Sequence, residues 1–194
     1  MHRKFALAAA AALALGATQA PAAELIQNGS FEDTTDFFHA VGWTSTGAWE
    51  FFTADPHSGA NSASVSGCYD YASLPNCSIS QTVGTEAGQT YELSFWANGY
   101  STTGFVGVFQ VIWGGVDQGT IFVTPGYEQY KFQLTAASDS TTLEFRSMNT
   151  FASNRIDDVS LTALSVPEPS TWALMIAGFG LAGGALRRRH RAVA

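Results

Sequence analysis

The chain has 194 residues, 46% of them hydrophobic and 13% charged, with a formal net charge of −7; that is room for about one domain. The charge is unevenly spread: residues 24–166 hold 15 acidic residues against three basic ones, Lys131, Arg146 and Arg155, for a formal charge of −12. A surface this acidic repels phosphate backbones, which excludes nucleic acid as a partner and favours divalent cations or neutral polymers.

Residues 1–22 read as a cleavable signal peptide. Arg3 and Lys4 give a positive start, and Phe5 to Ala17 give an apolar run too short for a membrane span. Ala20-Pro21-Ala22 then fits the small-x-small cleavage rule. The chain beyond the cleavage site is expected to be exported.

Residues 24–164 form the domain. They are rich in Gly, Ser, Thr and aromatic residues and hold no long stretch of period 3.6, so they favour strands joined by turns. Cys68 and Cys77, the two cysteines of the chain, bracket the polar segment CYDYASLPNC. In an exported protein such a pair is expected to form a disulfide closing a small loop. No further Cys or His is spaced to complete a zinc site with them. Tyr69 and Tyr71 lie inside this loop and Trp49 in a loop-like segment, so the three are candidates for a rim site.

Further on, five segments alternate apolar and polar residues: 91–98, 107–113, 130–134, 142–146 and 155–161. Turn signals separate them at Glu86-Ala87-Gly88-Gln89, Trp113-Gly114-Gly115 and Ala137-Ser138-Asp139-Ser140. Short strands at such spacing predict an all-β antiparallel sandwich. The period of two turns Leu93, Phe95, Phe132, Leu134, Leu143, Phe145, Val159 and Leu161 inward. It turns Trp96, Lys131, Gln133, Glu144 and Arg146 outward. Trp43 and Trp113 are expected in packing.

A succession of motifs runs through the domain. It comprises Leu25-Ile26-Gln27-Asn28-Gly29-Ser30-Phe31-Glu32, Gly42-Trp43, Pro56-His57-Ser58-Gly59, Ser78-Ile79-Ser80-Gln81, residues 88–96, and Ile156-Asp157-Asp158-Val159-Ser160-Leu161. The succession resembles the galactose-binding-like jelly roll of family 4/9-type carbohydrate-binding modules. The resemblance implies a structural calcium, with Glu32 and Asp157 or Asp158 near the ion and backbone carbonyls supplying other ligands. Calcium prefers several oxygen ligands, and the acidic surplus suits it. It also implies sugar binding, which needs an exposed ring to stack on a sugar face and polar groups to bond its hydroxyls. Trp96, Glu144 and Arg146 are the candidates, with Tyr69 and Tyr71. The bland reading of Glu144 and Arg146 is a surface ion pair.

The domain holds only His39 and His57, and no HExxH, GxSxG or P-loop motif occurs, so no enzyme is expected. A glycoside hydrolase would require two carboxylates converging in a cleft. The alternative to a binding module is a structural matrix protein without a specific ligand.

Residues 165–194 form a tail of three parts. Pro167-Glu168-Pro169 resists regular structure. An apolar stretch, 172–186, is expected as a transmembrane helix; at about 1.5 Å per residue it is roughly 22 Å long, short of a hydrocarbon core of about 30 Å. Snorkelling arginines and an interfacial Trp172 would make up the difference. A basic cluster at 187–191 comes last, Arg187, Arg188, Arg189 and Arg191, which the positive-inside rule places in the cytoplasm. Pro-Glu-Pro, then Trp172-Ala173, then the apolar run and the arginines resemble the PEP-CTERM sorting signal in its PEPxxWA form. The resemblance implies an exosortase as partner, cleavage at or near residues 167–169, and a transient membrane anchor. It also implies a final place at the cell surface or outside the cell, in association with exopolysaccharide.

Overall fold

The computed structural model describes residues 22–52, 55–68, 77–100, 107–164 and 175–182. Among the described residues eleven strands make up the domain: β1 (Thr34–Asp36), β2 (His39–Ala40), β3 (Thr44–Thr46), β4 (Trp49–Phe52), β5 (Ser62–Cys68), β6 (Cys77–Gly84), β7 (Thr90–Tyr100), β8 (Gly107–Trp113), β9 (Val116–Val123), β10 (Glu128–Thr135) and β11 (Ser140–Ala163). All pairings are antiparallel, as in a jelly-roll sandwich. The first sheet runs β10-β7-β11-β5-β4. The second runs β3-β6-β11-β8-β9.

The long β11 belongs to both sheets. Its first part, from Ser140 to Met148, pairs with β6 and β8. From Asn149 to Ala163 it pairs with β5 and β7. Two of the alternating segments, 142–146 and 155–161, are thus one strand passing from one layer to the other. Asn154 holds that passage. It is fully buried, and its Nδ2 donates to the Val108 carbonyl at 3.2 Å and to Ser147 Oγ at 3.0 Å. Buried polar groups need such partners, since an unmet one costs about 1–3 kcal/mol.

The core lies between the layers. Ile79, Phe109, Val111, Leu143 and Phe145 come from the second sheet and Val65, Leu93, Phe95, Ile156 and Leu161 from the first; none is more than 1% exposed. Phe95 meets Phe145 edge-on across the interior, with ring centroids 4.8 Å apart. Each such ring or branched side chain contributes about 1.5–3 kcal/mol by leaving water. The inward set expected from the alternation is buried, with one partial case. Phe132 lies on edge strand β10 and is half-buried, stacked on Phe95 at 6.2 Å.

Trp49 is not in a loop. It sits on β4, is 1% exposed and stacks on Phe109 at 6.2 Å, so it takes no part in a rim site. Trp43 and Trp113 are buried as expected. Cys68 and Cys77 are bonded, with Cα atoms 5.7 Å apart. Since Cys68 ends β5 and Cys77 begins β6, the disulfide ties one sheet to the other. Gly114 and Gly115 turn β8 into β9 with φ of +57° and +81°, the two positive values that a two-residue hairpin of this hand requires.

The sandwich begins at Glu24 and ends at Leu164. Glu24 forms a bridge with Thr162, and the Leu25 N–H donates to the Leu161 carbonyl at 3.0 Å. The Glu24 carboxylate accepts from Ser160 Oγ at 2.6 Å and from the Leu161 N–H at 2.8 Å. In the tail, residues 175–182 are helical with exposed Met175, Ile176, Phe179 and Leu181. Among the described residues no helix is long and apolar enough to cross a membrane. The signal peptide up to residue 21, the Pro167-Glu168-Pro169 motif, Trp172 and the arginine cluster lie outside the described residues.

Candidate functional site

The candidate residues divide between two opposite faces. Trp96 is on β7 in the first sheet, paired with Gln129 and Asp157. Glu144 and Arg146 are on the part of β11 that lies in the second sheet. All three point outward, as the alternation requires, but from different layers. They do not build one site.

Around Trp96 the outer face is covered by the segment 55–61. The His57 ring stacks on the indole, with centroids 4.0 Å apart and planes 15° from parallel, and Tyr127 meets His57 edge-on at 5.2 Å. His57 Nδ1 pairs with Asp158 Oδ2 at 2.6 Å. Trp96 is therefore half-buried, with one ring face taken by the protein itself. The Tyr127 hydroxyl donates to the Asp55 carbonyl at 2.9 Å, and burial pushes its pKa up to about 12, so it stays a donor.

The carboxylates expected near an ion gather at the same segment. Asp157 Oδ2 accepts the N–H groups of His57 and Ser58 at 2.9 and 3.1 Å, and its Oδ1 accepts the Asp158 N–H at 2.7 Å. A bulge between Asp157 and Ser160 aims them, with Asp158 at a φ of +49°. Burial pushes Asp157 up to about 6, against the lowering effect of those N–H groups. Glu32 Oε1 accepts the N–H groups of Ala60 and Asn61, both at 2.9 Å. Gly59, at a φ of +60°, leaves room for that carboxylate, which any Cβ there would strike. Among the described residues no group of three or more His, Cys, Asp or Glu is placed to hold a metal ion. Glu32, Asp157 and Asp158 thus make no cage of side chains. Three carboxylates reach one loop, Asp158 through His57 Nδ1 and Ser58 Oγ, but each is spent on that loop's own donors, and backbone carbonyls would have to complete any ion site there.

The outer face of the second sheet is partly exposed, with Ile112 buried at 4% in its middle. One row across the strands runs Thr44, Ser80, Glu144, Ile112, Asp117, and the next runs Thr46, Ser78, Arg146, Gln110, Thr120. Val108 and Phe122 come next at the edge, with Phe122 65% exposed. Arg146 Nε and Nη2 donate to the two Glu144 oxygens at 2.7 and 3.1 Å. Gln110 Nε2 donates to Asp117 Oδ2 at 3.3 Å. The bond to Glu144 raises the Arg146 pKa, with the charge of Asp117 adding to it, so the guanidinium keeps its charge. The result is a fixed array of hydroxyl, amide, carboxylate and guanidinium groups beside an exposed ring. Five strands about 4.8 Å apart make it roughly 19 Å wide. Gln110, Asp117, Thr120 and Phe122 carry no motif of their own. Only the pairing of β8 and β9 beside β11 brings them to the ion pair. Tyr69 and Tyr71 lie outside the described residues.

The fold is that of several solved carbohydrate-binding domains. The CBM22-1 xylan-binding domain of Paenibacillus barcinonensis Xyn10C superposes with a TM-score of 0.56 at 16% identity, over 75% of this chain and 97% of that one. A family 16 carbohydrate-binding module gives a TM-score of 0.52 at 17% identity, over 71% and 99%. The K3 cleaved adhesin domain of Lys-gingipain from Porphyromonas gingivalis gives 0.54 at 16% identity, over 73% and 98%. At such identities the likeness is one of fold. No curated protein matches the chain. Residues 165–189 match the PEP-CTERM protein-sorting motif, so the chain carries that signal.

Proposed function

We propose that the domain binds a neutral polysaccharide outside the cell, on the outer face of the second sheet, after an exosortase has processed the tail. The face carries the reading: Glu144 and Arg146 lock each other in place beside Gln110, Asp117 and Thr120, with the exposed ring of Phe122 at the edge. Held polar groups bond sugar hydroxyls without first losing their own freedom. The fold shared with carbohydrate-binding modules supports it, as does the sorting motif, which belongs to exported proteins. The test is binding of residues 24–164 to insoluble polysaccharides. Arg146→Ala is expected to weaken binding at least tenfold, since it also leaves Glu144 and Asp117 without their cation. Trp96→Ala is expected to change it less than twofold while lowering stability by about 2 kcal/mol through loss of the His57 stack. The reverse order of effects would move the site to the first sheet.

The same reading includes a stabilising calcium, held by Glu32 and Asp157 with backbone carbonyls of the segment between them. Millimolar calcium should raise the melting temperature, and a chelator should reverse the rise. An unchanged melt would leave the two carboxylates as loop anchors alone.

One observation favours the alternative of a matrix protein without a ligand: Trp43, Trp49 and Trp113 are buried and Trp96 is covered by His57. A folded domain that holds to no polymer would decide for it.

A further inference from the structure

Both ends of the domain leave the sandwich at one place. Leu25 near its start and Leu164 at its end line a single cleft of about 630 Å³ together with Glu86 and Gln89, which Ala22 and Ala23, at the signal-peptide junction, also reach. The end of the domain is tied down there. The Leu164 N–H donates to the Thr90 carbonyl at 2.9 Å, and Gln89 Nε2 donates to the Leu164 carbonyl at 2.8 Å. Around it Gly84, Glu86, Ala87 and Gly88 are exposed, small except for Glu86.

The sorting motif begins at the next residue, 165. From Leu164 to Pro167 is three Cα steps, at most about 11 Å even fully extended. An enzyme that grips several residues around Pro167–Pro169 must therefore bring its entrance against this end of the folded sandwich. No spacer separates the two.

We infer that the end face around Gly84, Glu86, Ala87 and Gly88 is a clearance surface, the part of the domain that the membrane-embedded sorting protease must lie against while it cuts the tail. The inference rests on the reading that the tail is processed. The face is low and nearly free of long side chains, so it admits a close neighbour. The face that the polysaccharide would use lies on the flank of the second sheet, so tail processing leaves it clear.

The test tracks tail removal by mass spectrometry in cells that carry the sorting machinery, using the full chain. Glu86→Arg with Ala87→Trp places bulk and a reversed charge on the face; both positions are exposed turn residues, and a melt of the purified domain checks the fold. Removal of the tail is expected to slow about tenfold. A twelve-residue Gly-Ser insert between Leu164 and Ser165 is expected to restore it, because the face then stands away from the enzyme. Wild-type speed in the double variant would overturn the inference, and so would slow removal that the insert fails to restore. Pro167→Ala keeps the two readings apart. If it changes nothing, the processing reading falls and this one with it. If it blocks removal while the double variant is cut normally, processing stands and the surface does not.

Discussion

Asp157 is a carboxyl without solvent exposure, and its pKa near 6 has a defined consequence for stability. Its ordinary value is 3.8. Between that value and about 6 the folded state binds more protons than the unfolded state, so its contribution to stability rises as pH falls through 6 and levels off below 4. The gap of roughly two units corresponds to about 3 kcal/mol at most. Asp36 works the other way, lowered by its bond to His39, but it is exposed and its effect is small. Asp157→Asn removes the titration and keeps one oxygen for the His57 and Ser58 N–H groups. Urea unfolding of both proteins at pH 7 and pH 4.5, with chelator present, should show the native protein gaining about 1–3 kcal/mol on the variant at the lower pH. Parallel curves would mean that Asp157 is ionised throughout. The outward position of Trp96, Glu144 and Arg146 was legible from the alternation around them. The cover over Trp96 was not, because His57 comes from a segment about forty residues away and only the pairing of β5, β11 and β7 carries it there.

Among the elements, the strands that alternate strongly were legible and the others were not. β8 coincides with its apolar-polar run, whereas β9 reads VDQGTIFV, with Gly119 at its middle and a bulge at Gln118 beside it. Its place depends on the Gly114-Gly115 hairpin, which folds it back on β8. The continuity of β11 was hidden for a different reason. A strand that changes sheets swaps the partners of its two halves, and no local pattern reports that. The disulfide was legible from compartment and spacing, but its role as a tie between sheets needed β5 and β6 in place. It closes a loop of about ten residues, which in the chain-entropy account corresponds to about 2–3 kcal/mol. Replacing both Cys68 and Cys77 with Ser should cost that much in urea unfolding, with the polysaccharide face unaffected. A loss of binding along with stability would mean that the loop, and with it Tyr69 and Tyr71, takes part in the site.

For the whole molecule the deciding quantity is charge. The domain carries −12 over residues 24–166. The candidate face is itself acidic, since Arg146 faces both Glu144 and Asp117. An anionic polymer brought to it would meet one compensated guanidinium and two carboxylates, within a field that repels it from every side. A neutral polymer is recognised through hydroxyl hydrogen bonds and ring contact, which do not depend on long-range field. Affinity for a neutral polymer is therefore expected to change less than twofold between 10 and 150 mM salt. A carboxylated polymer of the same backbone should bind at least tenfold more weakly at low salt and recover part of the difference as salt shortens the Debye length from about 30 to about 8 Å. Preference for the carboxylated form would require a second free cation on the face. Lys131 is in the other sheet, bonded to Glu92 at 3.1 Å, and cannot serve. Such a preference would thus relocate the site as well as change its ligand. The measurement reads both the face and its chemistry from one pair of titrations.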